Sequence, residues 1–402
     1  MADVNRVASP LILSSGSTLK NRIAKAAMSE RLAGEKGRPS SKIVRLYSQW
    51  SAGGAGLIMT GNIMCSSERS LSPGVACIED AFEDEFKKWS AAGKENGARI
   101  WAQLNHPGRQ IPKKYVAEPL APSAVRLTRG GWAFGQPREM SEDDVERLIA
   151  SFALAAVRAQ RFGFDGVQIH AAHGYLISQF LSPVTNQRSD RWGGTAEGRR
   201  RFLLETVRRV RKDVDPGFSV GVKLNSADFQ KGGLSEDESM GTIEALNQEG
   251  VDLLEISGGT YERAANIEVG PAYRAGDGSG ATREAYFLRF AEQARSVALM
   301  PLMVTGGFRT LVGMNSAIAS GAVDVVGLAR PLAVQPDACN DLVNGIEMNG
   351  VAKPRRTGLK MLDTIVEVQW YASQIALMGS GIRTNPSLSY RSQVVKALRK
   401  YL

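Results

Sequence analysis

The hexapeptide His170-Ala171-Ala172-His173-Gly174-Tyr175 sets two imidazoles and a phenol directly behind an apolar stretch, 164–169. The chain has three histidines among 402 residues, and two of them stand three apart here. Two imidazoles and a phenol directly after a strand mark a candidate site, where α/β proteins place reactive groups, without yet saying which chemistry. The same spacing could ligate zinc, but the Glu of an H-E-x-x-H pair is missing and no cysteine lies nearby, so no metal is expected. Buried structural histidines and a tyrosine that only packs in a core are the plainer alternatives.

Other reactive types sit at or near the ends of other apolar runs. Ala27, Met28 and Ser29 follow the first run, Asn62 ends the second, and Gln103 and Lys223 lie in the third and fifth. Thr305-Gly306-Gly307 and Gly327-Leu328-Ala329-Arg330 close the last two. An amide and a cation suit an electron-rich heterocycle with imide edges, and exposed glycine backbone suits a phosphate. A flavin fits that inventory. A lysine inside a strand is costly to bury, so an ion pair or a Schiff base are its competing readings. His106, beside Pro107-Gly108, reads as well structurally as chemically. Arg22, Arg188 and Asp190 read as an ion network that braces loops.

These side chains meet only if the runs are parallel strands whose C-terminal ends share one face. Eight short apolar runs recur at 22–28, 56–62, 98–104, 164–170, 219–225, 251–257, 301–305 and 323–328, most with glycine just before them. Continuous apolarity is what strands covered on both faces require. Helical patterns lie between them at 143–162, 197–213, 235–249, 283–297 and 310–320, with Ser141 as an N-cap. Repeated strand–helix units predict an α/β protein, a (β/α)8 TIM barrel, because each crossover packs right-handed outside the sheet. An open doubly wound sheet is the runner-up. Against it, no strand is followed by G-x-G-x-x-G, and Gly-rich 276–280 precedes a helix with no strand before it. Residues 105–140, with five prolines, form a long loop excursion after strand 3, which a barrel would place at its catalytic mouth. Residues 1–345 are read as the barrel and 346–402 as a C-terminal helical extension that packs on it, anchored by Trp370, Tyr371, Ile375 and Leu377.

Composition narrows the class. Hydrophobic residues at 43% and charged residues at 23% are those of a globular protein with a large core. The net charge of +9 is spread along the chain, and Arg199-Arg200-Arg201 and Arg208-Arg209 lie at helical spacing. That pattern is a solvated helix face rather than a nucleic-acid surface. Cys65, Cys77 and Cys339 form no close pair, which argues against a disulfide framework, a zinc knuckle or an iron–sulfur cluster. No apolar window approaches a membrane span and no secretory signal is apparent, so a reducing cytoplasmic setting is expected.

In its ordered motifs the chain resembles the Old Yellow Enzyme family, FMN-dependent ene-reductases built on a (β/α)8 barrel. The matching stretches are Leu19-Lys20-Asn21-Arg22-Ile23, Gln103-Leu104-Asn105-His106-Pro107-Gly108-Arg109 and His170 to Leu176. Residues 186–194 and Thr305-Gly306-Gly307-Phe308 match as well. The resemblance implies that Ala27, Met28 and Ser29 line the flavin, that Asn62 flanks it, and that Gln103 and Lys223 meet its pyrimidine edge. It implies that backbone at Gly307, Ala329 and Arg330, with the Arg330 side chain, holds the phosphate. His170 and His173 would grip a substrate carbonyl and Tyr175 would supply a proton. Arg31 would edge the substrate mouth.

Two departures are visible. Ser29 stands where members often carry Thr or Cys, and Lys223 where many have Arg; Lys keeps the charge but loses the fork geometry. The activity so implied is NAD(P)H-dependent reduction of the C=C bond of an α,β-unsaturated carbonyl compound. An isomerase, a nitroreductase, an oxidase of specialised metabolism, a non-catalytic flavin- or phenol-binding barrel and a Lys223 aldolase stay open. The expected partner is a small enone-type molecule, with no nucleic acid and no membrane; a homo-oligomer is left open.

Overall fold

The computed structural model describes residues 5–128, 131–259, 287–348 and 360–401. Within them the apolar runs become parallel strands: β1 (Ile23–Lys25), β2 (Leu57–Met64), β3 (Arg99–Asn105), β4 (Gly166–Ala171), β5 (Ser219–Asn225), β6 (Leu253–Ser257), β7 (Leu302–Thr305) and β8 (Val325–Leu328). They pair in the order β1-β8-β7-β6-β5-β4-β3-β2, and a β1–β2 pairing closes the ring. Closure leaves no free edge, and side chains alternate between the ring's interior and the helices outside, except where β2 slips against β3.

The helices outside are α1 (Ser41–Ala52), α2 (Glu83–Lys94), α3 (Glu142–Arg161), α4 (Ala196–Asp213), α5 (Glu236–Leu246), α6 (Leu288–Ala294) and α7 (Leu311–Ala319). Ser141 caps α3 with a reciprocal box to Asp144, as its position predicts. The sequence reading names no helix where α1 and α2 lie. In α1 the signal was present all the same: Ile43, Leu46, Tyr47 and Trp50 recur at i, i+3, i+4 and i+7, the spacing of one helix face. Part of the expected 283–297 helix and all of Gly-rich 276–280 lie outside the described residues; α6 is the described part of that helix.

A short helix, Ala338–Val343, completes the repeat after β8, and among the described residues two longer helices follow it, α8 (Lys360–Gly379) and α9 (Tyr390–Tyr401). Arg45 and Gln49 of α1 donate to the carbonyls of Gly379 and Met378 at 3.0 and 3.2 Å. Glu367 of α8 pairs with Arg330 at 2.8 Å. The excursion after β3 is less irregular than expected. Leu120–Ala121 pairs with Arg138–Glu139 in a short parallel ladder, and Arg109 donates to the carbonyls of Val125 and Arg126.

The bracing network needs one correction. Arg188 does clasp Asp190 and reaches the carbonyls of Pro122 and Met140. Arg22 takes no part; it donates to Ser9 Oγ and to the Asp324 carbonyl. Arg22 precedes β1, so it belongs to the opposite end of the barrel from the loop after β4.

Candidate active site

Alternation along the strands builds the site in two layers. The lower interior is apolar: Leu57, Met59, Trp101, Leu253, Met303 and Val325 pack with Leu13 and Leu19 of the N-terminal segment. Glycines in β4 and β5 make room for the largest of these. A Cβ on Gly221 would lie 2.6 Å from Trp101 Cζ3, and one on Gly166 2.8 Å from Trp101 Nε1. Two residues further along the strands the interior turns polar, with Gln103, Gln168, Lys223, Glu255 and Thr305. A further step brings His170, Asn225 and Ser257.

Four polar side chains of this layer form one hydrogen-bonded chain. Gln103 Nε2 donates to Gln168 Oε1 at 2.8 Å, and Gln168 Nε2 donates to Glu255 Oε2 at 2.7 Å. Lys223 Nζ meets Glu255 Oε1 at 2.8 Å. Register explains the last contact, because Lys223 and Glu255 are direct neighbours across the β5–β6 ladder. Sequence reasoning found Gln103 and Lys223 but missed Gln168 and Glu255. The available signal was a glutamate inside the apolar run Leu253-Leu254-Glu255-Ile256, facing a lysine one strand away.

A bulge shapes the neighbouring wall. Pairing of β2 with β3 slips between Met59 and Asn62, which seats Asn62 opposite Gln103. Glu30 Oε1 accepts the Gly61 N–H at 2.7 Å, and the Tyr47 hydroxyl donates to the same carboxylate. Lys25, fully buried outside the ring, donates to the Met59 carbonyl at 2.6 Å and stands over the Trp50 ring. Burial pushes its ammonium down to about 8 against the pull of Glu30 and Glu255. At the mouth, Ser29 Oγ donates to Asn62 Oδ1 at 2.8 Å.

The paired histidines and the tyrosine do converge. The His170 ring lies 5.2 Å from that of His173 and 5.0 Å from that of Tyr175, both edge-on. His173 holds a left-handed backbone, φ +61, a conformation uncommon outside glycine. Hydrogen bonds on both sides over-determine it: its N–H donates to Asn225 Oδ1 and its carbonyl accepts from Gln110 Nε2. Its Nε2 meets Ser257 Oγ at 2.8 Å. Burial drives both imidazoles towards the neutral form, His173 to about 3 and His170 well below the ordinary range, with the Lys223 charge adding to both. His106, the third histidine, is structural: it meets the Glu68 carbonyl and accepts the Gly108 N–H.

After β7, Gly306 and Gly307 both take positive φ, +115 and +97. After β8, Ala329 and Arg330 lead into a short 3₁₀ turn, Arg330–Ala333. The Arg330 side chain is shared with Glu367, a contact the sequence did not foretell. Arg31 is exposed with φ +56. Ala27 and Met28 are half-buried at the end of β1.

Among the described residues there is no group of three or more histidine, cysteine or acidic side chains that could hold a metal ion. No described helix is long and apolar enough to cross a membrane.

Comparison with known proteins agrees with this architecture. The family model for NADH:flavin oxidoreductases / NADH oxidases matches residues 8–349. An NADH-dependent flavin oxidoreductase of Hypocrea jecorina (strain QM6a) is 37% identical over 347 residues, 81% of this chain and 86% of the relative. The structure of an Old Yellow Enzyme homologue from Zymomonas mobilis superposes with a TM-score of 0.72 at 26% identity, covering 86% of this chain and 94% of that one. Morphinone reductase in complex with tetrahydroNAD gives 0.70 at 26% identity, over 86% and 92% of the two chains. This chain thus belongs to the NADH:flavin oxidoreductase / NADH oxidase family, the Old Yellow Enzyme-like oxidoreductases that work with FMN and NAD(P)H.

Proposed function

We propose that the chain reduces the C=C bond of α,β-unsaturated carbonyl compounds, with FMN at the barrel mouth and NAD(P)H as reductant. The observation that carries this reading is the convergence of His170, His173 and Tyr175 over the polar layer.

The residues present fit a flavin mononucleotide. Gln103 and Lys223 offer an amide and a cation for the pyrimidine edge. Ala27, Met28, Ser29 and Asn62 supply the wall beside the ring. Thr305 Oγ1 is buried and has no hydrogen-bond partner among the described residues, as expected of an atom that awaits one. Gly307, Ala329 and Arg330 would hold the phosphate, with the positive-φ glycines turning backbone towards it. When bound, FMN supplies two-electron transfer between a nicotinamide and the second substrate.

Neutral His170 and His173 act as donors to the carbonyl oxygen and stabilise the charge that grows there. Preorganised donors of this kind are worth roughly 3–4 kcal/mol each where water is excluded. Tyr175 holds the proton for the carbon next to the carbonyl, a contribution of about 10²–10⁴-fold. Arg31 borders the substrate's entry. Lys223 is ion-paired to Glu255 and is not presented as a free amine, which favours this reading over a Schiff-base aldolase. We also propose that residues 1–345 form the cofactor-binding barrel, that 346–402 pack on it as an extension, and that the protein works in the cytoplasm.

The test is NAD(P)H oxidation by the FMN-loaded protein with cyclohexenone. Enone-dependent turnover is expected. Bleaching of the flavin without turnover on any enone would instead support a non-catalytic flavin-binding barrel.

A further inference from the structure

We infer that Glu255 is a positioning residue that sets the charge and orientation of the flavin's pyrimidine site from beneath. The inference rests on the proposed cofactor site and concerns side chains to which sequence reasoning assigned no role.

Glu255 is completely buried in the barrel interior, and the Lys223 side chain is 5% exposed. Its two carboxylate oxygens are spent differently, one on the ammonium of Lys223 and the other on the amide of Gln168. Through Gln168 it also orients Gln103. With Nε2 of Gln103 directed at Gln168, Oε1 is left to accept from an imide N–H. One carboxylate therefore positions both groups proposed to read the pyrimidine edge.

The electrostatic consequence follows from charge balance. A lone lysine beneath the N1–O2 locus would favour the reduced flavin, which carries extra negative charge there. A carboxylate 2.8 Å from the ammonium cancels much of that field, and in a water-poor interior the cancellation is not screened away. Glu255 thus holds the flavin's midpoint potential below the value an unopposed Lys223 would impose. The pair also trades the rigid fork of an arginine for a lysine steadied by a partner.

The experiment measures midpoint potential and FMN affinity of purified protein for wild type, E255Q, K223M and K223M/E255Q. E255Q is expected to raise the potential by about 30 mV or more, the two-electron equivalent of a tenfold shift towards the reduced form. K223M is expected to lower it, and in that background E255Q should have far less effect, because a carboxylate buried without its ammonium partner is held neutral and its removal takes no charge away. An FMN-loaded E255Q whose potential is unchanged, or equal shifts in both backgrounds, overturns the inference and leaves the cofactor reading intact. Wild-type protein that takes up no FMN overturns both. Should E255Q fail to fold, E255D keeps the charge but withdraws it by one methylene, and a smaller rise that again depends on Lys223 is the expected result.

Discussion

Ser257 Oγ stands 2.8 Å from Nε2 of His173, so the hydroxyl at the end of β6 engages one nitrogen of the ring. With the hydroxyl as donor, Nδ1 carries the ring's proton and can donate to a carbonyl; with the hydroxyl as acceptor, Nε2 carries it. Ser257→Ala should therefore raise KM for an enone and reduce kcat/KM about tenfold, the worth of one well-placed hydrogen bond. FMN retention should stay the same. Parallel loss of flavin would show that Ser257 serves the cofactor instead.

Tyr175 is expected to matter only in the half-reaction that ends on the enone. Tyr175→Phe should cut enone turnover by about 10²-fold or more, while bleaching by NAD(P)H keeps its rate. Stopped-flow measurement of the two halves separates them. Equal slowing of both would remove Tyr175 from the proton-donor role.

Acid should weaken the fold through the paired imidazoles. Burial lowers His173 to about 3 and His170 well below its ordinary value, whereas the unfolded chain titrates both near 6.5. Between those limits the unfolded state binds more protons, so stability is fully present above 6.5 and declines as pH falls. Each imidazole contributes a slope of up to ~1.4 kcal/mol per pH unit. Urea midpoints of wild type and H173N, compared at pH 7.5 and 5.0, isolate this contribution from the carboxylates. The variant should lose less stability on acidification, and identical losses would contradict the argument.

Gly61 is a position where the bulge tolerates nothing larger. A Cβ there would lie 2.1 Å from Glu30 Oε2 and 2.4 Å from the Met28 carbonyl. Gly61→Ala is expected to cost ~1–3 kcal/mol by overpacking. Because the displaced Met28 backbone borders the proposed flavin wall, FMN affinity should fall with it. Calorimetry with and without added FMN reads both effects, and an unperturbed variant would mean that Glu30 swings aside.

Arg31 makes the opposite case. It is exposed on a left-handed backbone. Arg31→Ala should change the ranking of enone substrates by kcat/KM more than it changes FMN retention. Equal loss of both would place Arg31 at the cofactor.

Much of this was legible in the linear chain. Eight apolar runs with reactive residues at or near their ends predict a barrel whose strand ends meet, and β5, expected at 219–225, is observed at Ser219–Asn225. The spacing of His170, His173 and Tyr175 around one turn likewise predicts a cluster, because the segment is too short to scatter them. Periodicity works for elements whose burial pattern is continuous. The same helical period marks α1, where Ile43, Leu46, Tyr47 and Trp50 share one face, but no period could tell that Arg22 lies at the other end of the barrel from Arg188.

Pairings between distant strands had to wait for three dimensions. Lys223 and Glu255 are 32 residues apart, and only ladder register makes them neighbours. The slip in β2 that seats Asn62 against Gln103 depends on Glu30, Tyr47 and Gly61 meeting in space. Glu367 reaches Arg330 only because α8 returns to the barrel. Residue types and local spacing determine which groups can react and which face of a strand they occupy, since both depend on chain geometry over a few residues. Which charge opposes which, and which nitrogen of an imidazole meets a neighbouring hydroxyl, depends on contacts that closure of the ring alone brings about.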